Sequence, residues 1–103
     1  MKLEHYPLAK LEAEIIGIVG RHLNLADYQL FFFGSRVKGD GTDRSDIDIG
    51  IKGSQSIPRR ALALIRNELD DLPILYKIDV VDFSTTSEVF QKNVGSKIES
   101  IKV

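Results

Sequence analysis

Residues 30–51 read Leu30-Phe31-Phe32-Phe33-Gly34-Ser35-Arg36-Val37-Lys38-Gly39-Asp40-Gly41-Thr42-Asp43-Arg44-Ser45-Asp46-Ile47-Asp48-Ile49-Gly50-Ile51. The run Leu30 to Phe33 is apolar without interruption, as in a strand buried on both faces. The run from Asp46 to Ile51 alternates acid with Ile, the pattern of a strand with one polar and one apolar face. Between them lie a Gly-Ser pair and ten residues rich in turn formers. Strand, glycine turn, then a strand carrying two acids on one face makes a plausible site for a metal-bound nucleoside triphosphate.

The rest of the chain supplies the frame. Pro7 to Leu23 places Leu8, Leu11, Ile15, Ile18, Val19 and Leu23 at helical spacing, with Gly17 and Gly20 weakening its C-terminal half. Tyr28 to Phe33 and Ile47 to Lys52 are the strands just described, and Gly34 to Gly39 can hold a tight turn and a helical turn or two. Arg59 to Leu69 repeats apolar residues at Leu62, Ile65 and Leu69, a second amphipathic helix with Ser56 as its candidate N-cap and Pro58 early in it. Ile74 to Phe83 reads as a third strand, and Thr86 to Val103 as a short helix with a mixed tail. The order α-β-β-α-β-α predicts an α/β (α+β) fold, a small mixed β-sheet with helices packed mainly on one face.

Composition narrows the function. At 103 residues the chain, residues 1–103, is expected to be one domain with one core. Hydrophobic residues at 43% and charged residues at 28% fit a globular chain rather than a disordered one. A net charge of -1 gives no general attraction to nucleic acid or to an anionic membrane, so direct nucleic-acid binding is not expected. The absence of Cys excludes disulfides, thiolate catalysis and Cys-ligated zinc. With no signal peptide or spanning run, a cytoplasmic location is the default.

Asp46 and Asp48, two apart on a strand, point to the same side at about 6.5 to 7 Å along the backbone. Carboxylates forced together repel, and a divalent cation relieves the repulsion. Oxygen ligands without His or Cys favour Mg²⁺ or Mn²⁺ over Zn²⁺. A third carboxylate would complete a two-metal arrangement that activates an attacking oxygen and stabilises leaving pyrophosphate. Asp79, within Lys77-Ile78-Asp79-Val80-Val81-Asp82, is the first candidate; Asp82, of opposite strand parity, is its competitor. Gly34 lets a triphosphate approach the backbone, Ser35 adds a hydroxyl, and Arg36 and Lys38 can neutralise phosphate charge or face solvent. His5 and His22 stand alone near the first helix and read as structural. Tyr6, Tyr28 and Tyr76 read as packing residues.

These residues resemble the nucleotidyltransferase superfamily that includes DNA polymerase β, whose signature is Gly-Ser, a spacer of about ten residues, Asp-x-Asp or Asp-x-Glu, and a third acid on a later strand. More narrowly, Gly34-Ser-Arg-Val-Lys-Gly, Ser45-Asp-Ile-Asp and Lys77-Ile-Asp-Val-Val-Asp resemble the minimal nucleotidyltransferases, the MNT family of bacteria and archaea. The likeness covers roughly residues 28 to 84. It implies the nucleotidyltransferase fold, with Gly34 and Ser35 binding the triphosphate of ATP and Asp46, Asp48 and Asp79 holding two Mg²⁺ ions. It further implies a small helical HEPN-type partner, for which such proteins act as antitoxins, and transfer of AMP from ATP onto a hydroxyl of that partner. Larger relatives carry a second, acceptor-binding domain for which this chain has no room. A different class of function stays open beside this one: a nucleotide-binding module, weak as a catalyst, that neutralises its partner by occlusion. Transfer to a small molecule is the third reading.

Overall fold

In a computed structural model, which describes residues 1–39, 45–85, 92 and 97–103, four strands form one sheet in the order β3-β2-β1-β4. They are β1 (Tyr28–Phe33), β2 (Ile47–Gly53), β3 (Ile78–Asp82) and β4 (Glu99–Ile101). β1 pairs antiparallel with β2 and with β4, while β2 and β3 run parallel. The parallel pair needs a crossover, which a long helix supplies. That helix is α3 (Arg59–Asp70); α1 (Leu8–Gly20) precedes the sheet, and the one-turn α2 (Ser35–Lys38) follows β1.

Strand alternation sorts the side chains. Leu30 and Phe32 of β1, Ile47, Ile49 and Ile51 of β2, and Ile78 and Val80 of β3 turn to one face. There they meet Leu11, Ile15, Ile18 and Val19 of α1 and Ile65 and Leu69 of α3, forming the main core. The other face carries a small aromatic cluster. Phe31, Phe33 and Phe83 pack edge-to-face, with ring centroids 4.8 Å apart for Phe31 and Phe83 and 5.0 Å for Phe33 and Phe83. Gly50 lies beneath it: a Cβ there would overlap the Phe31 ring and come within 2.9 Å of Phe83.

Several expectations need correction. Helix α3 is N-capped by Pro58 and not by Ser56, and Pro58 makes no side-chain cap bond. The third strand starts at Ile78, four residues later than its apolar run suggests. Pro73 and a turn closed by Ile74 N–H to the Leu72 carbonyl (2.8 Å) hold the chain off the ladder until then. The tail expected at the C-terminal end holds a strand, β4; the short helix expected before it falls largely on residues 86–91 and 93–96, which lie outside the described residues. So do residues 40–44, where the turn-rich loop falls. No described helix is long and apolar enough to cross a membrane.

Candidate active site

The acids converge because of register. Asp48 on β2 sits opposite Asp79 on the parallel β3, so the two are lateral neighbours about 4.8 Å apart along the sheet. Both turn away from the helix face, and both are half-buried. Asp46, also half-buried, immediately precedes β2 and shares strand parity with Asp48. On its other side Asp48 is paired with Phe33, the last residue of β1. The chain therefore brings all three sequence candidates to one end of one sheet face.

Electrostatics registers that convergence. The Asp48 carboxyl is held above its ordinary value, first by burial, then by repulsion from Asp79, then by repulsion from Asp46. Among the described residues, no three Asp, Glu or His side chains are already gathered as ligands around one point. The donor set nevertheless suits a hard divalent cation: three carboxylates, Asp48 repelled by the other two, with no His and no thiolate.

Gly34 makes this geometry possible. Its φ of 86° lies in the region open to glycine, and a Cβ there would overlap the Asp48 Oδ2. The Asp48 carboxylate thus lies directly over the Gly34 backbone. Ser35 then opens α2, where Val37 and Lys38 N–H both donate to the Gly34 carbonyl at 3.1 Å. The first amides of a helix have no intrahelical acceptor, so this turn presents N–H groups beside Asp48. Gly39, at φ 84°, ends the turn.

The two cations of the turn part company. Lys38 is exposed. The Arg36 guanidinium stacks at 4.6 Å from the Tyr76 ring centroid, and its Nε donates to the Ser45 carbonyl at 2.8 Å. Arg36 thereby fastens the residue just before Asp46, and its Nη2 is buried with no hydrogen-bond partner. Tyr76, itself buried, accepts from the backbone N–H groups of Glu4 (3.0 Å) and His5 (2.9 Å). His5 stacks on the same ring, and His22 pairs with Glu68 on α3. Both histidines act within the fold.

Asp82 does not join the acids. It faces the helix side, is 8% exposed, and its carboxylate accepts from Ile57 N–H (2.8 Å) and Ser84 N–H (2.9 Å). Two residues bearing on the site have no role in the sequence reading. Gly50 leaves room for the aromatic cluster, and a glycine inside a strand is the signal for such close approach. Lys77 shares the face of Asp79, and only its flanking position hints at that.

The chain has relatives among known proteins. One relative is the Haemophilus influenzae protein named "Probable protein adenylyltransferase MntA", 30% identical over 84 residues, covering 80% of this chain and 74% of that one. A toxin-antitoxin crystal structure with AMP-PNP superposes with a TM-score of 0.71 at 22% identity, over 88% of this chain and 72% of the other. A structure of a tri-AMPylated Shewanella oneidensis HEPN toxin with its MNT antitoxin gives 0.68 at 19% identity, over 91% and 71%. At those identities the two structures show a shared fold. The sequence pattern described as "Polymerase beta, Nucleotidyltransferase" spans residues 15–102, and with it the chain belongs to the polymerase β nucleotidyltransferase family.

Proposed function

We propose that this domain is a Mg²⁺-dependent nucleotidyltransferase that moves AMP from ATP onto a hydroxyl of a partner protein, a small helical HEPN-type toxin to which it serves as antitoxin. The observation that carries the reading is the register match of Asp48 with Asp79 beside Gly34. Names of relatives support the chemistry: one is named "Probable protein adenylyltransferase MntA", and one structural neighbour contains an AMPylated HEPN toxin.

In this reading Asp46, Asp48 and Asp79 hold Mg²⁺, with Mn²⁺ as an alternative. When bound, the metal neutralises triphosphate charge and stabilises the leaving pyrophosphate. Gly34 admits the triphosphate against the backbone, and the Ser35 hydroxyl and the amides opening α2 donate to its oxygens. Lys38 is free to reach outward phosphate oxygens, while Arg36 acts by holding the Ser45–Asp46 backbone in place. The acceptor oxygen attacks the α-phosphorus, an O–P bond forms, and the α–β bridging P–O bond breaks. Pyrophosphate leaves, and the hydroxyl proton passes to the Asp79 carboxylate and then to water. Positioning and charge neutralisation account for most of the rate.

Asp48→Asn tests the mechanism. The variant is expected to lose transfer from α-labelled ATP by on the order of 10²–10³-fold or more, with circular dichroism as in the parent. Undiminished transfer would sink the proposal. If the variant loses transfer yet still protects cells from the partner, occlusion and not chemistry is the neutralising act.

A further inference from the structure

Among the described residues β3 is the outermost strand on its side of the sheet, with no further strand paired to its far edge. A groove of about 210 Å³ runs along that edge, lined by Arg66 and Asp70 of α3 and by Lys77, Ile78, Asp79 and Val80. Arg66 Nη2 donates to the Val80 carbonyl at 2.8 Å, which fixes the guanidinium on the groove wall. The Lys77 carbonyl accepts from Ile47 N–H at 2.8 Å and continues the ladder by one residue. Lys77 therefore shares the face of Asp79, about 6.5 to 7 Å away along the strand, with its side chain exposed. Just ahead stands Leu75, 89% exposed and one of two large apolar side chains so exposed among the described residues. It lies four residues before Asp79, at the end of the sheet where the acids gather.

We propose that this edge is the acceptor's docking surface. Its occupant is a polypeptide segment that sets its hydroxyl over Asp79, an apolar side chain against Leu75, and a carboxylate beside Lys77 and Arg66. The inference rests on reading the chain as a protein nucleotidyltransferase. Size argues for a segment over a free small molecule. The groove is smaller than the roughly 300–1,000 Å³ of a drug-sized site, yet the features around it extend beyond it to Leu75. It fits one inserted side chain with its flanks lying on the surface. Charge argues for an acidic flank: with Asp79 committed to the reaction, Arg66 and Lys77 outweigh Asp70.

The test uses the intact chain, α-labelled ATP, Mg²⁺ and the purified HEPN-type partner. Lys77→Glu and Leu75→Asp are each expected to raise the KM for the partner about tenfold, with the ATP KM within about twofold of the parent. Lys77→Arg should restore the parent value, and melting temperatures should not move, since both side chains are exposed. An unchanged partner KM in both variants would overturn the inference while leaving the enzyme reading intact. So would a rise in the ATP KM alone, which would make Lys77 a triphosphate contact. If the parent chain labels no partner, the enzyme reading has failed. Docking is then read by titration calorimetry, and a Leu75→Asp chain that binds the partner as tightly as the parent overturns it.

Discussion

Asp79 and Asp82 differ by three positions on one strand, and that odd offset sends them to opposite faces. Asp79 faces Asp48 across the parallel ladder, while Asp82 is buried on the helix side with two backbone amides donating to it. Parity alone separates the pair in the sequence. What Asp82 does instead is not legible there, because its partner, the amide of Ile57, is 25 residues away and belongs to the loop before α3. Opposite consequences follow from removing each acid. Asp82→Ala leaves two amides without an acceptor, at about 1–3 kcal/mol for each one that water does not reach, so its melting temperature should fall by several degrees. Asp79→Ala removes a carboxylate from a repelling group, so its melting temperature should hold while transfer is lost. Thermal unfolding and label transfer, measured on both variants, check the assignment; a stable, inactive Asp82→Ala would reverse the roles.

At the scale of elements, the sequence is most legible where burial marks the run, by a period on one face or by unbroken apolar residues on both. β1 spans Tyr28–Phe33 as its run predicts, β2 differs from expectation by one residue at Gly53, and α3 by one at Asp70. It is least legible where structure comes from pairing. β4 is three residues long, too short to show a period, and exists because Ile101, Ser100 and Glu99 pair with Leu30, Phe31 and Phe32. The run at Ile74 to Lys77 looks like strand, but Tyr76 spends its ring on His5 and Arg36 and its hydroxyl on the N-terminal backbone. The middle of β2 shows how an element supports the site. Gly50 admits the Phe31 and Phe83 rings on the acid-bearing face, two residues from Asp48. Gly50→Ala should therefore cost about 1–3 kcal/mol by overpacking, even though alanine ordinarily suits a strand better than glycine. Urea unfolding should show a lower midpoint at an unchanged slope. A stabilised variant would mean that the aromatic cluster does not need this gap.

Across the whole molecule, two helices and the main core occupy one face of the sheet, and the acids occupy the other. The core holds the strands in register, and the register forces like charges together. The candidate site thus opposes the stability of the fold around it. The sign follows from Asp48, whose carboxyl is raised above 3.8 by burial, Asp79 and Asp46. A raised acid binds its proton more tightly in the folded chain, so stability is greatest while Asp48 is protonated. It declines as pH rises from 3.8 through the folded value. Other carboxylates pull the other way, so the informative quantity is the difference between the parent and Asp48→Asn. In EDTA at neutral pH, Asp48→Asn should melt higher than the parent by about 1–3 °C, a modest gap because the carboxyl is partly solvated. That gap should close as pH falls toward 3.8, where both chains carry a neutral group at this position. Cation binding has the opposite dependence, strengthening as Asp48 ionises. Millimolar Mg²⁺ at neutral pH should therefore raise the parent's melting temperature, by preferential binding to the folded state, and raise that of Asp48→Asn far less. A melting gap independent of pH, or an equal Mg²⁺ response in the two chains, would show that Asp48 is not the charge on which the site turns.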